Sequence, residues 1–115
     1  MLWALLAFMI TFALVWFTKV SVPLSVAPYF GIALVAGLDS VVGGWRASIE
    51  GNFDNLIFVT GFFFNASAAA LFAYIGDIVG APLYVAATVP FAIRIFTNLA
   101  IIRRHFIERR RAGKV

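Results

Sequence analysis

In a chain of 115 residues that is 63% hydrophobic and 12% charged, few side chains can do chemistry. Asp39 and Arg94 stand inside long apolar runs, Asn65 and Asn98 are amides in similar surroundings, and Arg46 and Glu50 follow Asp39 at helical spacing. An acid flanked by Ile32-Ala33-Leu34-Val35 and Val41-Val42 sits in hydrocarbon, where a charge costs about 2.5–3.5 kcal/mol on insertion scales. It therefore needs a partner. Pro28 and Pro82 each open an apolar run, and Asp39 and Arg94 lie nearly equal numbers of residues beyond them. At about 1.5 Å of rise per residue the two reach similar depths, so the sequence predicts an Asp39–Arg94 pair, with Asn65 and Asn98 meeting the leftover donors and acceptors. Such a pair can be static, fixing helix register, or Asp39 can act as a proton or cation site with Arg94 as its switch.

Other chemistries lack their parts. The chain has no cysteine, which excludes disulfides, thiolate ligands and cysteine nucleophiles. His105, alone in a basic tail, has no second ligand at metal spacing, and no nucleophile–base pair or phosphate loop is present. Neither an enzyme nor a metal or other cofactor is expected. The net charge of +4 could suggest nucleic acid, but six of the nine Lys and Arg crowd into the last thirteen residues, after an apolar run. That is the flank of a membrane helix, and Arg103, Arg104, Arg109, Arg110 and Arg111 are candidates to bind anionic headgroups. No nucleic-acid partner is expected.

These residues need elements to position them. The predicted fold class is all-α, a polytopic membrane protein with a four-helix membrane domain over residues 1–105 and a basic cytoplasmic tail over 106–115. The spans fall at about 2–18, 29–50, 56–75 and 83–102, each near the 20 apolar residues that cross a bilayer. The first lacks the basic leader and small-residue cleavage site of a signal peptide. In the second, the helix is expected to run on through Gly43-Gly44, placing Asp39, Gly43, Arg46 and Glu50 on one stripe beside a ridge of Ala36, Ser40, Gly44 and Ser48. Ala36, Ser40, Gly43 and Gly44 are the expected helix-packing positions. Gly76 through Pro82 read as a tight turn closing the third span, and Pro90 as a kink in the fourth.

An even number of spans puts both termini of this multi-pass protein on one side, and the arginines of the tail place that side in the cytoplasm. Arg46 then also lies inside and only Lys19 outside.

Ala36-Gly-Leu-Asp39-Ser-Val-Val-Gly43-Gly44-Trp-Arg46-Ala47, Phe58-Val-Thr-Gly61-Phe62-Phe63-Phe64-Asn65, Leu83-Tyr84-Val-Ala86-Ala87 and Arg94-Ile-Phe96-Thr-Asn98-Leu-Ala-Ile-Ile-Arg103-Arg104 follow in matching order the pattern of a known family. Over most of positions 20 to 105 the chain resembles the bacterial small basic protein family, short integral membrane proteins of unassigned activity. Pro90-Phe91-Ala92 departs from the pattern. The resemblance implies a cytoplasmic-membrane protein, encoded in Gram-positive bacteria near cell-division genes, and it carries over no catalytic or ligand residue. The expected function is a non-catalytic membrane scaffold or accessory protein linked to the envelope or to division, with a protein partner or a homo-oligomer. The alternative is a small transporter subunit or oligomeric channel using Asp39 and Arg94.

Overall fold

The computed structural model describes residues 2–113, apart from the Ala4 side chain. They form four α-helices, α1 (Leu2–Thr18), α2 (Ala27–Ile49), α3 (Asn55–Val79) and α4 (Leu83–Arg111). Lys114, the last cation of the basic tail, lies outside the described residues.

Helix boundaries follow local chemistry. Pro23 accepts hydrogen bonds from the amides of Val26 and Ala27, and Pro28 sits in the first turn of α2, where its missing amide hydrogen costs nothing. α2 then runs unbroken through Gly43-Gly44. At 23 residues it spans about 35 Å, enough to cross hydrocarbon. Asp54 caps α3, its carboxylate accepting from the Ile57 amide at 3.0 Å. Asp54→Ala should therefore cost about 1 kcal/mol, read as a lower unfolding midpoint in micelles without a change of oligomeric state.

One boundary differs from the sequence expectation. α3 does not stop at Ile75 but continues through Gly76 and Asp77 to Val79, and Gly80 at φ 71° terminates it in the left-handed region. Gly76 is thus a buried helical residue under the turn, its carbonyl accepting from the Gly80 and Ala81 amides. Exchanging Gly80 for alanine should cost about 1–2 kcal/mol, because a Cβ disfavours that conformation, and a thermal melt would register it. α4 continues beyond its predicted span, which ends at residue 102. It runs through Pro90 and on to Arg111, so most of the basic tail is the last turns of the same helix.

α2, α3 and α4 pack against one another as a three-helix bundle, and α1 makes no comparable packing with them. Short connections make successive helices antiparallel, so α2 and α4 run in the same direction. The half of the bundle near their N-terminal ends is filled by Ile32, Ala36, Ala69 and Phe91, and the other half by Val42, Ile95 and Ile102. Along the lengths of the helices the surface is mostly apolar, with Leu34, Phe63, Phe64, Phe72, Ile93 and Phe96 all exposed. In water so much contiguous apolar surface would aggregate; in acyl chains it is ordinary. α2, α3 and α4 are each long and apolar enough to cross a membrane, while α1, with 17 residues, is shorter.

Candidate functional site

Between the two apolar clusters lies the polar centre. Asp39 projects from α2 with 0% of its side chain exposed, and Arg94 of α4 places Nη2 at 3.3 Å from its Oδ2. The arginine is 54% exposed. Neither carboxylate oxygen accepts a hydrogen bond among the described residues, so the contact is coulombic without hydrogen-bond alignment. A buried carboxylate usually gathers several donors; this one has a single displaceable cation.

Further along the same two helices, Arg46 donates from Nη1 to Asn98 Oδ1 and from Nε to Glu50 Oε1, both at 3.1 Å. This corrects the sequence expectation for Asn98: 8% exposed, it makes its side-chain hydrogen bond with Arg46 and not with Asp39 or Arg94. Arg46, 38% exposed, thereby ties α2 to α4. The parallel register that places Asp39 beside Arg94 brings Asn98, one turn further along α4, level with Gly43, and Arg46 one turn-length beyond reaches it; that register was the signal for this second link. Asn65 departs as well. It is half-buried beside Asp39 but makes no side-chain hydrogen bond among the described residues.

Small residues make these approaches feasible. Ala36 and Gly44 are buried and Ser40 and Gly43 half-buried, whereas Ser48 is exposed and takes no part. A Cβ on Gly43 would meet Asn98 Nδ2 at 3.5 Å, ordinary contact, so alanine fits there and larger side chains press on the Arg46–Asn98 link. Gly43→Leu should therefore weaken α2–α4 packing by about 1–3 kcal/mol, measurable as a lower melting midpoint, while Gly43→Ala should stay near wild type.

Two crevices flank the pair. One, about 370 Å³ between α2 and α4, is bordered by Gly43, Arg46, Glu50, Arg94, Thr97 and Asn98. The other, about 210 Å³ between α2 and α3, is bordered by Asp39, Ser40, Asn52, Asp54, Asn65 and Arg94. Gly43, Ala47 and Arg94 border both. At the other end, the Tyr29 hydroxyl donates to Asp77 Oδ2 at 2.7 Å, joining the start of α2 to the end of α3. Arg103, Arg104, Arg109, Arg110 and Arg111 are exposed along the end of α4, and Trp45 meets Phe106 edge-on at 6.4 Å on that side. His105 is half-buried against Phe106, and no group of three His, Cys, Asp or Glu comes together among the described residues.

Fold and site define an all-helical protein with three membrane-length apolar helices around a charged pair. Residues 22–107 match the model of a family described as a protein of unknown function, DUF1290. The chain is 38% identical over 92 residues to the small basic protein of Bacillus subtilis, covering 80% of this chain and 76% of that one. It is 49% identical over 85 residues to uncharacterized proteins of Mycobacterium bovis and Mycobacterium tuberculosis, covering 72% of this chain and 70% of each relative. The chain belongs to this small basic protein family, whose function is unknown. No solved structure matches it.

Proposed function

We propose that the chain is a non-catalytic scaffold or accessory protein of the bacterial cytoplasmic membrane, in which α1 is a fourth span and both termini face the cytoplasm. The arginines at the end of α4 then lie among anionic headgroups, and the α2–α3 connection with Arg46 lies on the same side. The observation that carries the reading is the position of α1. Its apolar, aromatic-rich length stands away from the other helices across an apolar gap of about 740 Å³, walled by Phe8, Phe12 and Trp16 on one side and Leu34, Gly37 and Phe62 on the other. At Gly37 an added Cβ would meet the Phe62 ring at 3.6 Å, so α3 packs closely on α2 at the floor of the gap. A chain whose own helices leave such a face uncovered is built to complete it with another membrane protein, and envelope or division assemblies offer such partners.

A photoreactive benzoylphenylalanine at Phe12 or at Leu34, on opposite walls of the gap, should give one discrete protein–protein adduct of the same mass in native membranes. Adducts with lipid alone from both positions would contradict scaffolding. A second reading, a small transporter subunit or oligomeric channel using Asp39 and Arg94, is favoured by the buried carboxylate that lacks hydrogen-bond donors.

A further inference from the structure

The two crevices share Gly43, Ala47 and Arg94, and they carry Arg46, Glu50, Asn52 and Asp54 toward the end of the bundle where α2 joins α3. Together they form a funnel whose α2–α3 arm, lined by Phe53, Ile57, Phe58 and Phe62 as well as by the polar groups, is bordered by Asp39. On the far side the way is shut by the packed cluster of Ile32, Ala36, Ala69 and Phe91. Asp39 is therefore a fully buried carboxylate at the floor of a one-sided entrance, sealed from the opposite face. Neither of its oxygens accepts a hydrogen bond among the described residues, and its counter-charge belongs to a half-exposed arginine.

We propose that Asp39 is the carboxylate of a binding site for a small monovalent cation, a proton or an alkali-metal ion, reached from one side only through this funnel, with Arg94 as the tethered cation that an arriving ion replaces. The site's size and chemistry fit such an ion. A single carboxylate with one amide neighbour, Asn65, and one hydroxyl neighbour, Ser40, suits one positive charge and offers too few anionic ligands for a divalent metal. The charged groups able to influence Asp39 are Arg46 and Glu50 on its own helix, Arg94 on α4 and Asp54 at the start of α3. Of these, only Arg94 touches it. That the entrance faces the cytoplasm rests on the topology proposed above; the site itself does not.

Two experiments on the full chain in liposomes test this. The first uses dicyclohexylcarbodiimide, an apolar reagent that adds to protonated carboxyl groups, with the modified residue located by peptide mass spectrometry. An Asp39 adduct that disappears as pH rises, and that Na⁺ or K⁺ at fixed pH leaves alone, identifies the proton as the ion. Suppression by Na⁺ or K⁺ at fixed pH identifies the alkali-metal ion. No Asp39 adduct at any pH, or an adduct indifferent to pH and to both salts, overturns the site. Asp39→Asn must abolish the adduct. Arg94→Lys, which keeps a tethered charge, serves where Arg94→Gln does not fold.

The second exploits the absence of native cysteines. Ala47→Cys and Thr97→Cys, on the funnel walls, should react with a membrane-impermeant cationic methanethiosulfonate from the cytoplasmic side, whereas Ala66→Cys, against the apolar seal, should not. Reaction of both funnel thiols only from the opposite side would overturn the topology and leave the ion site standing. Protection of both from either side, or equal reaction from the two sides, would overturn the one-sided funnel.

Discussion

Arg94→Gln should destabilise the bundle by on the order of 3 kcal/mol, Asp39→Asn should cost under about 1 kcal/mol, and the double variant should recover most of the loss seen with Arg94→Gln. The asymmetry comes from exposure. Removing Arg94 strands a carboxylate that is 0% exposed and has no hydrogen-bond donor, so the whole desolvation penalty falls on the fold. Removing the carboxylate leaves a half-exposed guanidinium at the wall of the funnel, where it can reach water. Unfolding midpoints of the three variants in the same micelle decide it. Equal losses from the two single variants would mean that Arg94 is as deeply buried in the membrane as Asp39.

Gly76→Ala should cost about 1–3 kcal/mol, more than the same change at most other glycines of the chain. A Cβ at Gly76 would lie 2.5 Å from the Ala81 carbonyl oxygen, 3.0 Å from the Leu83 amide nitrogen and 3.2 Å from the Leu83 Cβ. Two of those atoms are backbone, so no rotamer change relieves the clash, and the turn must move together with the start of α4. Gly31 and Gly61 have nothing within 4 Å of the same position, so alanine there should leave the melt unchanged or raise it slightly, since alanine is the better helix former. A Gly76→Ala variant as stable as Gly61→Ala would show that the α3–α4 turn is loose.

Much of the helical plan was legible because it rests on composition. Apolar runs of near bilayer length, Pro28 opening α2 and the extension of α2 through Gly43-Gly44 are properties of local sequence. The end of α3 was not. Gly76 and Gly80 look alike as turn signals, yet one is a close-packed helical residue and the other the left-handed cap, a difference set by where the returning chain crosses. α4 runs on past the predicted span because a change from apolar to basic residues marks a change of solvent, and a helix of Arg, Glu and Ile has no cause to stop there.

Depth counting brought Asp39 opposite Arg94 because both helices begin at a proline and rise at the same rate. It could not assign the hydrogen bonds, since those depend on side-chain reach. Arg46 spans far enough to take Asn98, and Asn65, with a short side chain on a third helix, meets no partner. The gap beside α1 was equally invisible, because an apolar helix reads the same whether it packs on its own bundle or on something else.

The juxtaposition of Asp39 and Arg94 underlies both the packing of α2 on α4 and the proposed site. Solid-state NMR dipolar recoupling between ¹³C-labelled aspartate carboxyls and ¹⁵N-labelled arginine side chains, on the protein in lipid bilayers, measures it directly. A close carbon–nitrogen contact that vanishes in Asp39→Asn is the predicted result, matching Nη2 at 3.3 Å from Oδ2. Spectra in which Asp39→Asn removes no such contact would contradict it.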